Sequence, residues 1–375
     1  LSVVFLCCTK NFVCAEDKTR DYGLRIHYID VGQGDCSFIE LPDGKTMIID
    51  AGPEENSKRV VKYIKKLGYS KIDYLVATHS DADHIGGFIR VLDEFDVAVV
   101  YRPFTISTST EVKNFTDELY DKFKDDIDLY QIDSSKDYAQ FLKLAYDEVC
   151  GDKLCEIKVA SNQETIISNS ETEPYIIKFF MLEAFQSFST NRIEFGYTSL
   201  KQEDNNDVSA VVEIITSTNK YLFMGDLTTS GENLMISMMD SADREMLSDI
   251  DILKVGHHGS ETSTSEKLLA VTRPKNSVIM CEADNEYGFP KESVLNILNA
   301  YSSVVYRTDK LGTIIATEKD GGIIFSNIET INPLLKWKVP LYILIGFVVV
   351  GIIVLIAVYP KIKKKKFRTW CRFCN

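Results

Sequence analysis

The chain has 375 residues, of which 45% are hydrophobic and 26% charged, so wholesale disorder and a collagen-like structure are excluded. A mean hydropathy of -0.07 excludes a protein that is embedded in a membrane along its whole length. The formal net charge is -13, but nine Lys and Arg side chains and no acid follow residue 335. An acidic body with a basic tail is not the charge pattern of a generic nucleic-acid-binding protein.

The amino-terminal residues predict a secretory signal. Residues 1–15 read LSVVFLCCTKNFVCA and resemble the final part of a signal peptide, with Val13 and Ala15 as small residues suited to its cleavage site. The alternative is an apolar first strand, which the three cysteines and Lys10 disfavour.

Between the two ends, short β-rich runs alternate with amphipathic helices. Strands are predicted at residues 24–31, 36–41, 45–50, 73–78, 97–101, 175–182, 208–215, 220–224, 251–255 and 277–281. Apolar residues at helical spacing predict helices near residues 60–67, 112–123 and 138–149. Residues 105–200 carry no chemical motif and are interpreted as an insertion in one layered α/β domain, which covers residues 16–335.

The cysteines of this domain fit an oxidising compartment. Cys150 and Cys155 enclose the turn-like stretch GDKL and could close a small disulfide loop. Cys36 and Cys281 lie inside apolar, strand-like runs, where free buried cysteines are expected.

The carboxyl-terminal part predicts a single membrane-spanning helix. Residues 339–359 contain no charge, and their length suffices to cross ~30 Å of hydrocarbon as a helix. The tail at residues 360–375 is basic, so the positive-inside rule places it in the cytoplasm and the α/β domain outside the cell or in a lumen. The basic tail is also expected to favour anionic lipids of the inner leaflet.

Four of the five histidines lie in two tight clusters, and the first cluster predicts a metal site. The run THSDADH follows an apolar strand, so it forms a loop at the carboxyl end of that strand, where α/β sheets place ligand sites. The side chains of His79, Asp81, Asp83 and His84 are donors suited to zinc or manganese. The alternative for a single cluster of this kind is a solvated turn.

Two further apolar strands each end in a small-residue turn that carries a potential ligand. Asp226 follows the strand YLFM, and His257 and His258 follow the strand ILKV. The three strand ends together offer enough ligands for two divalent metal ions. Such a pair, ~3.5–4 Å apart, clamps the oxygens of a displacement reaction, which is hydrolytic chemistry. The remaining histidine, His27, lies in mid-strand and is interpreted as a structural residue.

At this point the chain resembles the metallo-β-lactamase superfamily, whose signature is H-x-H-x-D-H. The closer resemblance is to the soluble domain of ComEC-type competence proteins. It covers roughly residues 24–325, and its motifs occur in the family's order: HYIDVGQGD from His27, IDAG from Ile49, THSDADHIGG from Thr78, GD at Gly225, HHGS from His257, DNEYG from Asp284 and TD at Thr308.

This resemblance implies a four-layer αββα sandwich with two metal ions at one edge, between the two sheets. Carried over residue by residue, it assigns His79 and Asp81 to the first metal and Asp83 and His84 to the second, with Asp226 bridging the two. One of the two adjacent histidines completes the second site. We favour His258 as this ligand, and His257 as a residue that either supports a ligand from behind or faces the phosphate. The candidate catalytic residues are His257 and Asp83.

The chain departs from the family pattern at two places. The superfamily's further histidine ligand is missing, and Asn205, Asn206 and Asp207 occupy its region. ComEC-like sequences usually read Tyr-Gly-His-Pro where this chain has Phe289 before the proline, so a phenylalanine replaces a potential general acid. A further set of family carboxylates is expected to orient loops rather than to bind metal: Asp30, Asp35 and Asp50.

The predicted function is a membrane-anchored, metal-dependent hydrolase, a phosphodiesterase or nuclease that uses a metal-activated hydroxide. Nucleic acid is a possible substrate, although the acidic domain shows no basic channel for long DNA. One alternative is a hydrolase of lactones or other esters. Another is an inactive metallo-β-lactamase-fold protein that serves as a receptor or binding protein, and the metal content of the purified domain separates it from the enzymes.

Overall fold

A computed structural model describes residues 21–79, 81–102, 156–160, 165–168, 170–180, 206–207 and 209–328. Several predicted features lie outside these residues: the signal at 1–15, the helices near 112–123 and 138–149, the Cys150–Cys155 loop, the spanning segment at 339–359 and the tail at 360–375. Among the described residues, no helix combines the length and the apolar character that a membrane crossing requires.

The described strands form two mixed sheets. The first sheet has the order β15-β14-β1-β2-β3-β4-β5-β6, and the second has the order β13-β12-β11-β10-β9-β8-β7. The strand bounds are β1 Arg25–Tyr28, β2 Ser37–Glu40, β3 Thr46–Ile49, β4 Lys71–Val76, β5 Asp96–Arg102, β6 Glu156–Val159, β7 Thr165–Ile167, β8 Tyr175–Phe180, β9 Val211–Thr216, β10 Lys220–Phe223, β11 Ile252–Lys254, β12 Asn276–Ile279, β13 Val304–Arg307, β14 Thr313–Lys319 and β15 Gly322–Ile328.

Helices cover the outer face of each sheet. Their bounds are α1 Ser57–Lys66, α2 Ala82–Ile85, α3 Phe88–Glu94, α4 Thr229–Met238, α5 Ser241–Met246, α6 Glu266–Thr272, α7 Glu292–Ala300 and α8 Thr308–Leu311. Helices α1 and α3 pack on the first sheet, and α4, α6 and α7 pack on the second. A third apolar cluster, which includes Ile39, Phe179 and Phe223, fills the space between the sheets. The chain thus forms a metallo-β-lactamase-like α/β sandwich, as predicted.

Parallel strand pairs place the sequence motifs at one edge of this sandwich. In the first sheet β3 pairs with β4 in parallel, and in the second sheet β10, β11 and β12 run parallel to one another. The carboxyl ends of parallel strands meet at the same edge of a sheet. The loops that follow β3, β4, β10 and β11 are therefore brought together, one group from each sheet.

Three predictions about isolated residues are confirmed. Cys36 and Cys281 are free and buried. His27 is a buried structural residue, because its Nε2 atom lies 2.9 Å from a Glu40 oxygen and its Nδ1 atom lies 2.8 Å from the Tyr63 hydroxyl.

Candidate metal centre

The loop that follows β4 is held in place by the carboxylate of Asp50, at the end of β3. The Thr78 backbone N–H and hydroxyl donate to the two Asp50 oxygens, at 2.9 and 2.7 Å. The Nδ1 atom of His84 lies 2.8 Å from the Asp50 Oδ2 atom. This contact leaves the Nε2 atom of His84 free to face the interior of the site, an arrangement typical of histidines that bind metals. Asp50 thus orients this loop, as predicted.

Backbone contacts lock the same loop against two neighbouring turns. The Asp35 N–H donates to the Asp83 carbonyl at 3.2 Å, and the Ala51 N–H donates to the His84 carbonyl at 2.7 Å. Gly34 permits this approach, since a Cβ atom at this residue would lie only 2.2 Å from the Asp83 oxygen. Its φ of +131° also favours glycine. The ligand loop is therefore fixed by the fold itself.

The second sheet contributes the loops after β10 and β11. Asp226 follows β10, and its backbone N–H donates to the Ser209 hydroxyl at 3.2 Å. His257 and His258 follow β11, and both have left-handed backbones with φ of 47° and 54°. Non-glycine residues in such conformations cost about 1–3 kcal/mol each and persist where the surrounding structure holds them. At His258, the Nδ1–H donates to the Met280 carbonyl at 3.0 Å.

Side chains from the two sheets converge at the centre of this edge. The Nε2 atoms of His84 and His258 lie 3.3 Å apart. The Asp226 carboxylate lies 3.2 Å from the Nε2 atom of His84 and 3.5 Å from that of His258. The Asp83 Oδ2 atom lies 3.1 Å from the Nε2 atom of His258. Four ligand atoms, from Asp35, His84, Asp226 and His258, lie within 4.8 Å of one another.

His79 also lies beside Asp226, and Asp81 lies beside His79. The Nε2 atom of His79 is 3.6 Å from an Asp81 oxygen and 3.9 Å from the Asp226 Oδ2 atom. The structure thus brings the six predicted metal ligands together: three histidines lie within 3.9 Å of the Asp226 carboxylate, and Asp81 and Asp83 each lie beside one of these histidines. In the region where the superfamily has its further histidine, Asn206 is buried, and its side-chain oxygen makes no hydrogen bond to any described residue.

Unpartnered polar atoms show that this cluster fits a cation. Among the described residues, the buried His79 Nε2, Asp226 Oδ1 and Asp35 Oδ1 atoms make no hydrogen bond of acceptable geometry. A buried polar atom without a partner costs about 1–3 kcal/mol. Imidazole nitrogens and carboxylate oxygens that converge in this way are the ligand set of zinc and manganese sites. The residues present therefore fit divalent metal ions.

The same geometry shifts the protonation of the histidines. Burial lowers the pKa of His258, but the carboxylates of Asp226 and Asp35 outweigh it and raise this pKa to about 10. Burial also lowers the pKa of His84, but the carboxylates of Asp226 and Asp50 outweigh burial and raise this pKa well above its usual range. Burial raises the pKa of Asp226, yet His84 and His258 hold it well below its ordinary value. Without a metal ion, the protonated histidines thus balance the negative charge of the carboxylates, which a bound metal ion would otherwise balance.

His257 differs from His258 in environment. Its side chain is 24% exposed, and its Nε2 atom lies 3.7 Å from the Asp226 Oδ2 atom. Its Nδ1 atom lies 3.0 Å from the Thr262 hydroxyl, which fixes the ring. Burial lowers the pKa of His257, in spite of Asp226. His257 therefore presents a neutral imidazole at the open side of the centre.

Lys254 is a residue of this site that the sequence motifs miss. It ends β11, its side chain is only 2% exposed, and its ammonium forms an ion pair with the Asp35 Oδ2 atom. The other Asp35 oxygen lies 3.3 Å from the Nδ1 atom of His258. Asp35 therefore stands behind His258, as Asp50 stands behind His84. The signal that could have found Lys254 is its position as a lysine inside the apolar run ILKV.

Sequence comparisons show similarity to a known superfamily and to competence proteins. Residues 29–149 match the sequence model of the metallo-beta-lactamase superfamily. ComE operon protein 3 of Bacillus subtilis is 25% identical over 326 residues, which cover 82% of this chain and 35% of that protein. Recombination protein 2 of Haemophilus influenzae is 36% identical over 110 residues, which cover 29% of this chain and 13% of that protein. The chain thus spans about a third of the length of the first relative and less of the second.

Among solved structures, Zn(2+)-bound PqqB from Methylobacterium extorquens aligns with 76% of this chain and 97% of its own, with a TM-score of 0.41 and 8% identity. The family assignment rests on the sequence match over residues 29–149 and on the similarity to ComE operon protein 3. Residues 29–149 therefore belong to a domain of the metallo-β-lactamase superfamily, and the chain resembles the ComEC-type competence proteins.

Proposed function

We propose that this chain is a metal-dependent hydrolase of phosphodiesters. The observation that carries the proposal is the convergence of His84, Asp226 and His258 from two sheets, with their ligand atoms 3.2–3.5 Å apart. Each histidine is held from behind by a carboxylate, Asp50 or Asp35, so its Nε2 atom is directed at the centre. A purely structural cluster would not need to leave buried ligand atoms unpartnered.

In this proposal the six predicted ligands divide between two divalent ions. Asp83, His84 and His258 would hold one ion, and His79 and Asp81 would hold the other. The Asp226 carboxylate lies within 3.9 Å of histidines of both groups. When bound, such ions lower the pKa of water and stabilise the charge on a departing oxygen. The protein supplies fixed ligand loops and a dry, low-dielectric wall on the side of the two sheets.

His257 is the residue that we expect to meet the substrate. Its ring borders Asp226 but is partly exposed, and the Thr262 hydroxyl fixes its orientation. With its pKa lowered by burial, the imidazole is neutral near pH 7 and can hydrogen bond to a phosphate oxygen. Its left-handed backbone is stabilised by contacts of its loop, since the His257 N–H donates to the Gly225 carbonyl at 3.1 Å.

The substrate class rests on the ComEC-type resemblance and on charge. Residues up to 335 are strongly acidic, so a long polyanion is captured less readily than a short or lipid-linked phosphodiester. If nucleic acid is a substrate, we therefore expect short oligonucleotides or the ends of strands to bind, rather than the interior of long DNA. Lactones and carboxylic esters belong in the same substrate panel, because metal-activated water attacks them by related chemistry.

For the location of the enzyme, we retain the prediction from the sequence. The uncharged residues 339–359 would anchor the chain, with the α/β domain outside the cell or in a lumen and the basic tail beside anionic lipids. The chain with residues 339–359 should stay in the membrane fraction during alkaline extraction. A variant that lacks residues 339–359 should be released from the membrane. Release of the intact chain by alkali would contradict the anchor.

The test of the function combines metal analysis with a phosphodiester and ester panel. Asp83→Ala and His84→Ala should each lower the bound metal and abolish hydrolysis while the folded fraction stays high, because the sheets hold the loops. His27→Gln is the matched control, since it removes a buried histidine outside the centre. Unchanged metal content in both ligand variants would contradict the site assignment.

A second candidate is a binding protein that has kept the fold. The observation in its favour is Phe289, whose ring lies 5.6 Å from the ring of His257 at the place of the family's histidine. Metal-loaded protein that cleaves no member of the panel, yet binds its members, would favour this candidate.

A further inference from the structure

An aromatic stack leads outward from the metal centre to the protein surface. The ring of Phe289 lies 5.6 Å from that of His257 and 6.4 Å from that of His258. On Phe289, the ring of Tyr287 is stacked at 5.4 Å with an angle of 15° between the planes. Tyr287 is 54% exposed, so the outer end of the stack is accessible from solvent beside the candidate metal centre.

The turn that carries these rings is rigid. The side-chain amide of Asn285 accepts from the Phe289 N–H at 2.9 Å and donates to the Phe289 carbonyl at 2.8 Å. The turn is also fixed to the histidine loop, because the Lys291 N–H donates to the Gly259 carbonyl at 2.9 Å. A Cβ atom on Gly259 would lie 2.5 Å from Pro290, so the two loops are in close contact. The stack therefore keeps a fixed position relative to the centre.

We infer that Tyr287 and Phe289 form a stacking platform for a nucleobase of the substrate. The inference rests on the proposed function and names the substrate class more closely. An exposed, rigidly held aromatic ring stacks with a base without regard to sequence, because every base has a π face. Tyr287 lies one ring beyond Phe289, which borders His257. Tyr287 would therefore stack with the base next to the scissile phosphate.

Charges around the turn favour a short nucleotide. The ammonium of Lys291 lies 5.5 Å from the centre of the Phe289 ring and donates to the Tyr287 carbonyl at 2.7 Å, so one cation accompanies the platform. Three exposed acids, Glu282, Asp284 and Glu286, lie on the same segment. They would repel a long polyanion, whereas a nucleoside joined to a single phosphodiester meets one cation and the metal centre.

The first experiment reads stacking without hydrolysis. Stacking on an aromatic side chain quenches the fluorescence of 2-aminopurine, so its deoxynucleoside 5′-monophosphate is titrated with metal-loaded, full-length chain. Wild type and Tyr287→Phe should quench the probe with similar affinity. Tyr287→Leu, which keeps apolar bulk but removes the ring, should bind it roughly tenfold more weakly. Absence of quenching by wild type, or equal affinity of the leucine variant, would overturn the platform.

The second experiment compares two diesters with the same leaving group, thymidine 5′-(4-nitrophenyl phosphate) and methyl 4-nitrophenyl phosphate. Wild type should prefer the thymidine ester, and Tyr287→Leu should reduce this preference roughly tenfold through KM. If neither diester is cleaved but quenching still depends on Tyr287, the proposed function fails and the platform stands. If both are cleaved and the leucine variant changes neither quenching nor preference, the platform fails and the function stands.

Discussion

Lys254 and Asp35 form a buried ion pair directly behind the His258 imidazole. One Asp35 oxygen contacts the lysine ammonium, and the other lies 3.3 Å from the Nδ1 atom of His258. The pair joins the last residue of β11 in the second sheet to a turn of the first sheet. It therefore positions a candidate ligand and holds the two sheets together at the same point.

The first prediction concerns this ion pair. Lys254→Met should lower the free energy of unfolding by roughly 3–5 kcal/mol, because it leaves the buried Asp35 carboxylate without its partner. It should also weaken metal binding roughly 10- to 100-fold, since His258 loses a fixed carboxylate behind it. The double variant Asp35→Asn/Lys254→Met should recover much of the stability but not the metal affinity. Chemical denaturation and metal titration measure both, and a Lys254→Met variant as stable as wild type would refute the role.

The second prediction is that metal uptake releases protons. In the metal-free chain the pKa of His258 is raised to about 10, so this imidazole is protonated at pH 7 and must lose its proton to bind an ion. The stability from this raised pKa is fully present below pH 6.5 and is lost as the pH rises through about 10. Metal affinity should therefore increase from pH 6 to pH 9. Calorimetry in buffers of different ionisation enthalpy counts the protons, and a pH-independent affinity would contradict the assignment of His258.

The third prediction concerns Phe289. If the family's histidine at this place protonates the leaving group, this chain should cleave nitrophenyl diesters much better than alkyl ones. General acid catalysis contributes ~10²–10⁴-fold, and the benefit vanishes when the leaving group is already a stable anion. Phe289→His should then raise the rate on poor leaving groups alone, by up to that order. Steady-state kinetics with both diesters decides, and an equal effect on both would point to packing against His257 instead.

The fourth prediction concerns Glu213, a buried acid of β9 without a hydrogen-bond partner among the described residues. Burial raises its pKa from 4.5 to about 7, although Lys220 and Lys178 oppose the shift. The folded chain thus binds a proton that the unfolded chain has released, and its stability falls as the pH rises from 4.5 to 7. Glu213→Gln should remove this penalty and gain up to roughly 3 kcal/mol at pH 8, with little gain at pH 4. Denaturation at both pH values tests this, with exposed Glu55→Gln as the control. A gain that is equal at both values would contradict the titration.

The strand-end clusters could be predicted from the sequence because each is local. His79 and His84 follow one apolar strand directly, and Asp226 and His258 follow two others. The carboxyl ends of parallel strands then bring the clusters together without any need to know the contacts in advance. The same argument located the turn with Phe289, because its motif is contiguous.

The ion pair and the edge strands could not be predicted in this way. Lys254 and Asp35 are far apart in the chain: the apolar run around Lys254 indicates a buried lysine, but it does not identify Asp35 as the partner. Strand β15 is largely exposed, so its apolar residues leave only a weak alternating pattern. Glu213 occupies a position typical of a solvated strand face, and only the packing of helices over the second sheet shows that it is buried.

The origin of the ligands in both sheets has a mechanical consequence. His84 comes from the first sheet, and Asp226 and His258 come from the second. An ion bound by these residues would therefore cross-link the two sheets. Such a cross-link joins distant parts of the chain and lowers the entropy of any state in which the halves separate. Bound metal should then slow the separation of the two sheets during unfolding. Chelation of the metal should speed the unfolding of the whole sandwich, in addition to removing the ion from the site.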